Sequence, residues 1–193
     1  MRTRKTFTVL TTLVTAATVS MLSAPAVTAA QDGLRMSATI DVFDTDHSSG
    51  RAVTYDTELV PPGSLAVVAS VFSESTGTIT ELEVRGLVPD REYGAHVHVD
   101  PCGPSGDDAG PHYQHEQDPE QPSTDPAYAN PDNEVWLDFT TDDKGAASAR
   151  SEVDWAYGDR KPGSVVIHER HTSTGEGEAG AAGARLGCII VSF

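Results

Sequence analysis

Residues 80–99 read TELEVRGLVPDREYGAHVHV, and this stretch decides the fold class. Its first half alternates with the period of a half-buried strand, because charged residues stand between members of one face. That face holds Thr80, Leu82, Val84 and Gly86. The turn-type sequence VPD at residues 88–90 then separates it from a second strand-like run at residues 93–99. The stretch therefore predicts two successive strands.

The same period of two recurs through most of the chain, and helical periodicity is hard to find. A first strand places Met36, Ala38, Ile40 and Val42 on one face. Further strands are predicted at residues 65–72, 135–140, 146–153, 164–168 and 186–193. Segments rich in Gly, Pro and Asp separate them. Seven or eight short strands with such connections predict an all-β sandwich or barrel.

The first thirty residues have the three parts of a secretory signal peptide. A basic start with Arg2, Arg4 and Lys5 precedes an apolar, Thr-rich run, and residues 24–30 read APAVTAA. The alternative is an N-terminal membrane anchor, but the diluted apolar run and the small-residue exit favour cleavage near residue 30. We therefore predict a signal peptide over residues 1–30 and one secreted domain over residues 31–193, with no membrane span.

The charge balance excludes a nucleic-acid-binding surface. The chain carries 13 Lys and Arg against 29 Asp and Glu, a net charge of -16, whereas phosphate binding requires clustered bases. Residues 1–30 contribute three bases and no acid. Residues 31–193 therefore hold 10 bases against 29 acids, a net charge of -19.

Export changes the interpretation of the two cysteines, because oxidising compartments permit disulfides. A bridge between Cys102 and Cys188 would tie a loop beside His98 to the last strand. It would close a loop of about 87 residues and stabilise the fold by on the order of 4 kcal/mol. The alternatives are free buried thiols or metal ligands.

Six of the seven histidines flank two long loops, predicted at residues 100–133 and 169–184. His96 and His98 are two positions apart on a strand, so both project from the same face toward one ion. His112, in the first loop, and His168, at the end of a later strand, raise the set to four nitrogen donors. Four imidazoles without a thiolate favour oxidised copper, although zinc is chemically acceptable.

Two other sites also use a strand His-x-His. A binuclear zinc hydrolase needs a further histidine where this chain has Pro101, and a cupin needs a glutamate soon after the pair. Residues 99–110 offer only aspartates as acids. Both alternatives are therefore disfavoured.

Four separated blocks resemble the copper/zinc superoxide dismutases, over about residues 36–193. The first, Gly94-Ala95-His96-Val97-His98, is similar to the family's paired copper ligands and is followed by the loop cysteine Cys102. The others, in the family's order, are Gly110-Pro111-His112, Val165-Val166-Ile167-His168-Glu169 and Gly183-Ala184-Arg185-Leu186-Gly187-Cys188.

The resemblance implies a Greek-key β-sandwich of about eight antiparallel strands that dismutates superoxide at a copper ion. The implied ligands are His96, His98, His112 and His168, with a disulfide between Cys102 and Cys188. Arg185 is implied to guide the superoxide anion, and His112 to detach from the metal and carry a proton. Positive charge from His171, Lys161 and Arg170 is expected to add to that of Arg185 against the acidic background.

The chain departs from the family where zinc would bind. As possible zinc ligands, residues 113–134 offer only His115 and several carboxylates. Thr172 stands where a supporting aspartate normally follows the last copper ligand. Zinc is therefore a doubtful cofactor, and the chain resembles the copper-only branch. We hypothesise that Glu134 or Asp132 accepts a hydrogen bond from the far nitrogen of His112.

Two further functions stay open at this point. One is a copper-binding or copper-buffering protein with the same ligands and weak or no dismutase activity. The other is a zinc-only binding module. The sequence does not decide the oligomeric state.

Overall fold

Nine β-strands and one short 3-10 helix form residues 33–193, the part of the chain that this computed structural model describes. The predicted signal peptide lies outside these residues. The strands are β1 (Arg35–Val42), β2 (Ala52–Thr54), β3 (Leu65–Ser73), β4 (Gly77–Arg85), β5 (Glu92–His98), β6 (Phe139–Thr140), β7 (Ala147–Val153), β8 (Ser164–His168) and β9 (Arg185–Ile190). The 3-10 helix, Gly106–Ala109, lies between β5 and β6. Within the described part, no helix is long and apolar enough to cross a membrane.

The strands form two antiparallel sheets, which confirms the predicted all-β class. One sheet has four strands in the order β1-β3-β4-β7, and the other has five in the order β2-β9-β8-β5-β6. One hydrophobic cluster, buried between the sheets, contains side chains from both. Its members include Val68, Leu82, Ala95, Val97, Val165, Ile167 and Ile189, each at most 1% exposed.

Two predicted strand assignments differ from the structure. β2 was not predicted, because three residues are too short to show a period. The run at residues 135–140 contains only the two-residue β6, although its earlier part still follows β5. Val97 N–H donates to the Val135 carbonyl, and Leu137 N–H donates to that of Ala95.

The apolar face of β1 is solvent-exposed. Met36, Ala38, Ile40 and Val42 share one face as predicted, but that face points away from the core, and Thr39 is the buried residue of this strand. A period of two identifies which residues share a face and does not identify which face is covered.

Candidate metal centre

Three of the predicted ligands lie on the outer face of the five-stranded sheet. His96 and His98 alternate along β5 with Ala95 and Val97, whose side chains enter the core on the other face. β5 pairs with β8 so that His168 lies opposite Gly94, two positions from His96. Because paired residues project to the same side, the three imidazoles share this face.

The fourth predicted ligand reaches the same face through backbone pairing. Val99 N–H donates to the Pro111 carbonyl, and Tyr113 N–H donates to that of Val97. These two bonds flank an antiparallel bridge between His98 and His112. The first long loop therefore turns back along β5 and brings His112 to the strand histidines.

The four histidines form one tight, mostly buried cluster. One ligand nitrogen from each of His96, His98, His112 and His168 lies within 4.8 Å of the others. His98 Nε2 and His168 Nε2 are 3.3 Å apart, the separation expected for two nitrogens that bind one ion at about 2.0–2.1 Å each. A single ion therefore needs only small inward shifts of the rings.

Hydrogen bonds to the outward nitrogens fix the tautomers of two of these imidazoles. His98 Nδ1 donates to the Gly110 carbonyl at 2.9 Å, and His112 Nδ1 donates to Glu134 Oε2 at 2.7 Å. In each ring Nε2 then carries the lone pair that faces the cluster. Outer partners that hold a histidine proton in this way orient metal ligands in proteins.

His96 is oriented through a relay that sequence reasoning missed. Thr172 Oγ1 donates to Asp138 Oδ1 at 2.7 Å and therefore accepts from His96 Nε2 at 2.6 Å. His96 Nδ1 is buried without a hydrogen-bond partner and carries the free lone pair. Asp138 thus supports His96 where Thr172 replaces the expected aspartate. The sequence feature that could have pointed to Asp138 is its position in the strand-like run beside β5, two residues after Trp136.

The donor set fits a transition-metal ion. Four imidazoles converge, and the buried Nδ1 of His96 has no hydrogen-bond partner. Nitrogen donors of this kind suit copper and zinc, and they do not suit magnesium or calcium, which prefer oxygen.

Burial keeps three of the histidines neutral. Desolvation holds the pKa of His96 and of His98 well below the usual value, and it lowers the pKa of His168 to about 3. Repulsion from the neighbouring imidazoles and from Arg185 acts in the same direction. Neutral imidazoles are the form that binds metal, so the cluster is ready for an ion at neutral pH.

Glu134 is a buried carboxylate that organises the outer side of His112. Besides His112, it accepts hydrogen bonds from Trp136 Nε1 at 2.7 Å and from Gln114 Nε2 at 2.8 Å. This arrangement confirms the hypothesised carboxylate and selects between its two candidates, since Asp132 is exposed and makes no contact with His112.

A disulfide joins Cys102 to Cys188, as predicted, and ties the first long loop to β9. Carbonyl groups of this loop hold two site residues: Gly110 bonds His98, and Gly106 accepts from Arg185 Nη1 at 2.8 Å. Half-buried Arg185 also lines the cleft that contains His112. The guanidinium is therefore held near the cluster by loop backbone.

The other histidines lie outside the cluster. His115 stacks on Trp155, with ring centroids 4.9 Å apart, and His171 Nε2 contacts the Phe139 carbonyl at 3.0 Å. His47 is exposed in a polar turn. Of the other cations expected near the site, Lys161 lies over the Phe72 ring and Arg170 is exposed beside Glu169.

The architecture matches that of solved superoxide dismutases, although no family model and no curated protein matches the sequence. The Cu/Zn superoxide dismutase from Brucella abortus aligns with a TM-score of 0.53 at 17% identity, over 83% of this chain and 100% of that one. This chain has the superoxide dismutase β-sandwich fold. A double mutant of a SOD-like protein from Bacillus subtilis aligns with a TM-score of 0.51 at 16% identity, over 73% of this chain and 96% of that one.

Proposed function

We propose that this chain is a secreted, copper-dependent superoxide dismutase that converts superoxide to oxygen and hydrogen peroxide. The observation that carries the proposal is the convergence of His96, His98, His112 and His168 on one point, beside Arg185, in a protein of this fold. Export is supported by the signal-like residues 1–30 and by a disulfide, which oxidising compartments permit.

Copper, when bound, supplies the one-electron redox chemistry that dismutation requires and that zinc lacks. The chain's residues bind the substrate and manage protons. Arg185 presents a fixed cation to superoxide at the cleft that contains His112. His112 would bind the ion through Nε2, and this nitrogen, once released, would take up a proton from solvent and donate it to the departing peroxide, while the proton at Nδ1 stays in the hydrogen bond to Glu134.

Steering of an anionic substrate has to be local in this protein. Residues 31–193 carry a net charge of -19, which repels anions at long range. Charges more than about 8 Å away are largely screened at physiological salt. Arg185 is held at the cleft by the Gly106 carbonyl, and it therefore supplies the short-range electrostatic attraction for superoxide.

The contacts of His112 favour the copper-only branch. Its Nδ1 faces Glu134 at 2.7 Å, where a bridging histidine would instead bind a second metal. Glu134 also accepts hydrogen bonds from Trp136 and Gln114. In this proposal, a carboxylate takes the orienting role that zinc has elsewhere.

The second candidate is a copper-binding protein with weak or no dismutase activity. It is favoured by the likeness to a solved protein that is described only as SOD-like. The same four histidines would then store or deliver copper, and Arg185 would have no substrate to bind.

The decisive experiment loads the purified protein with copper and measures the rate of superoxide loss. We expect one copper per chain and rapid loss of superoxide. Arg185→Ala is expected to keep full copper occupancy and lose about tenfold in rate, since one guiding cation contributes on the order of 1.4 kcal/mol.

Two controls separate the candidates. His98→Ala removes a ligand, so both copper occupancy and activity should fall. Arg150→Ala removes an equal charge from the opposite sheet and should leave the rate unchanged. A copper-loaded protein no faster than His98→Ala contradicts the enzyme and supports the copper-binding alternative.

Glu134→Gln tests the orienting carboxylate. The amide has the same shape as the carboxylate, but its NH2 group cannot accept a hydrogen bond. This group would face an N–H of His112, Gln114 or Trp136, so one hydrogen bond is lost. We expect copper affinity to fall about 10- to 100-fold, as on losing an outer partner of a metal-bound histidine. Competition with a chelator of known copper affinity measures the affinity of each protein.

The control for this prediction is Asp132→Asn, the same chemical change at the exposed carboxylate two residues away. It should leave copper affinity unchanged. Equal affinities for wild type and Glu134→Gln would show that the contact with His112 does not support the metal.

A further inference from the structure

Strand β1 presents an exposed apolar stripe at the edge of the four-stranded sheet. Leu34 is 62% exposed, Met36 75%, Ile40 68% and Val42 49%, and these are the large hydrophobic side chains that the described residues leave exposed. In that sheet β1 pairs with β3 alone. A long, apolar edge strand is a template for pairing with another chain unless it is covered.

The open edge of β1 carries the backbone groups of its even-numbered residues. Phe43 N–H donates to the Ser64 carbonyl, on the β3 side. Because N–H groups alternate between the two edges of a strand, those of Met36, Ala38 and Ile40 point the other way. The same three residues project their side chains onto the exposed face.

We propose that two copies of this chain dimerise through β1, which pairs antiparallel with β1 of the second copy across a two-fold axis at Ala38. In this register Ala38 lies opposite Ala38, and Met36 lies opposite Ile40 of the second copy. Each of the three hydrogen-bonded pairs exchanges two bonds, which gives six across the axis. The two four-stranded sheets join into one of eight strands.

Charge complementarity selects this register. Arg35 of each copy lies opposite Asp41 of the other, so the symmetric interface brings opposite charges together twice; within its own chain the Asp41 carboxylate also accepts hydrogen bonds from the Val42 and Arg51 N–H groups. Leu34 lies opposite Val42, which completes the apolar row. A shift of two residues places Arg35 opposite Phe43 and loses both pairs of opposite charges, and a shift of one mismatches the faces.

The residues around β1 support a second copy that covers this strand at the two-fold axis. Ser37 Oγ is buried without a hydrogen-bond partner, and Thr39 of the second copy would lie opposite it. On the exposed face, β1 adjoins half-buried Val67 and Val71 of β3. Farther from the edge the same face becomes charged, with Glu81, Glu83, Arg85, Arg150 and Glu152. The apolar area is thus confined to the proposed axis.

Cysteine cross-linking tests the register directly, since the sequence has two cysteines and both form the disulfide. In Ala38→Cys the two new cysteines have Cα atoms about 5.5 Å apart, which allows a disulfide. In the matched Ile40→Cys variant the two positions are about 13 Å apart along the strands, which does not. We expect that, of the two variants, only Ala38→Cys forms a covalent dimer. Equal cross-linking of both variants, or of neither, overturns the register.

Sedimentation velocity from about 1 to 200 µM tests the association, because a small edge interface predicts a micromolar dissociation constant. Ala38→Pro removes an N–H that points to the open edge and leaves the bonds to β3 intact. Arg35→Glu places like charges opposite each other. Each is expected to weaken dimerisation at least tenfold, whereas Arg150→Glu, the same charge change away from the edge, should not.

The opposing outcomes are distinct. A monomer at every concentration, or a dimer that Ala38→Pro and Arg35→Glu leave intact, overturns the proposal. A monomer whose mass still includes residues 1–30, and whose Ile40→Cys thiol resists alkylation, also overturns it and assigns the stripe to the chain's own N-terminal segment. Dismutase activity does not enter any of these measurements.

Discussion

Opening the disulfide between Cys102 and Cys188 is expected to lower the free energy of unfolding by about 4 kcal/mol. The bond spans 86 positions, so it restricts a large part of the unfolded chain. Domains of this size have a total stability of about 5–15 kcal/mol, so the loss is a large share. Urea unfolding of wild type and of the Cys102→Ala/Cys188→Ala double variant, followed by tryptophan fluorescence, measures it.

The same change should also weaken the metal centre. The loop that the disulfide anchors carries the Gly106 and Gly110 carbonyls, which hold Arg185 and His98. We expect lower copper affinity in the double variant even under conditions where it is folded. Adding reductant to the double variant is the control, because it has no disulfide left to open. Equal unfolding midpoints for wild type and double variant would contradict the prediction.

The strand histidines were predictable because their relation is local. His96 and His98 are two apart in an apolar alternation, and a period of two places them on one face whatever the rest of the chain does. Their position on the outer face of the sheet then follows from Ala95 and Val97 entering the core on the other face.

The rest of the site depends on long-range pairing. No period relates His112 or His168 to β5; their residue type and their places beside the two long loops suggested them as donors, and the resemblance to a known family then implied that they are ligands. The relay through Thr172 to Asp138 joins residues 34 positions apart, so spacing alone could not reveal it. A missing aspartate was recognised from sequence, whereas its replacement required the fold.

The exposed face of β1 shows a different limit. Its alternation is as regular as that of β4, yet Leu82 and Val84 of β4 are buried and Met36 and Ile40 are exposed. The difference arises because β1 presents its apolar residues to the outer side of the sheet. Amphipathicity therefore identified a face that needs a partner, and the folded monomer does not supply one.

The metal-free protein should lose stability steeply as the pH falls below about 6.5. Burial keeps the pKa of His96 and His98 far below their usual value and that of His168 near 3. In the unfolded chain the same groups accept protons near pH 6.5. The unfolded state therefore binds more protons over this window, and stability that is present above pH 6.5 is lost on acidification.

With three such groups, the free energy of unfolding should drop by about 6 kcal/mol between pH 7 and pH 5. Urea unfolding of the metal-free protein at several pH values measures the slope. His168→Gln removes one group, so its slope should be shallower by about a third. His47→Gln, at an exposed turn, should leave it unchanged. A pH-independent midpoint across this window would mean that the folded and unfolded chains take up the same number of protons, and it would contradict a pKa lowered by burial in these three histidines.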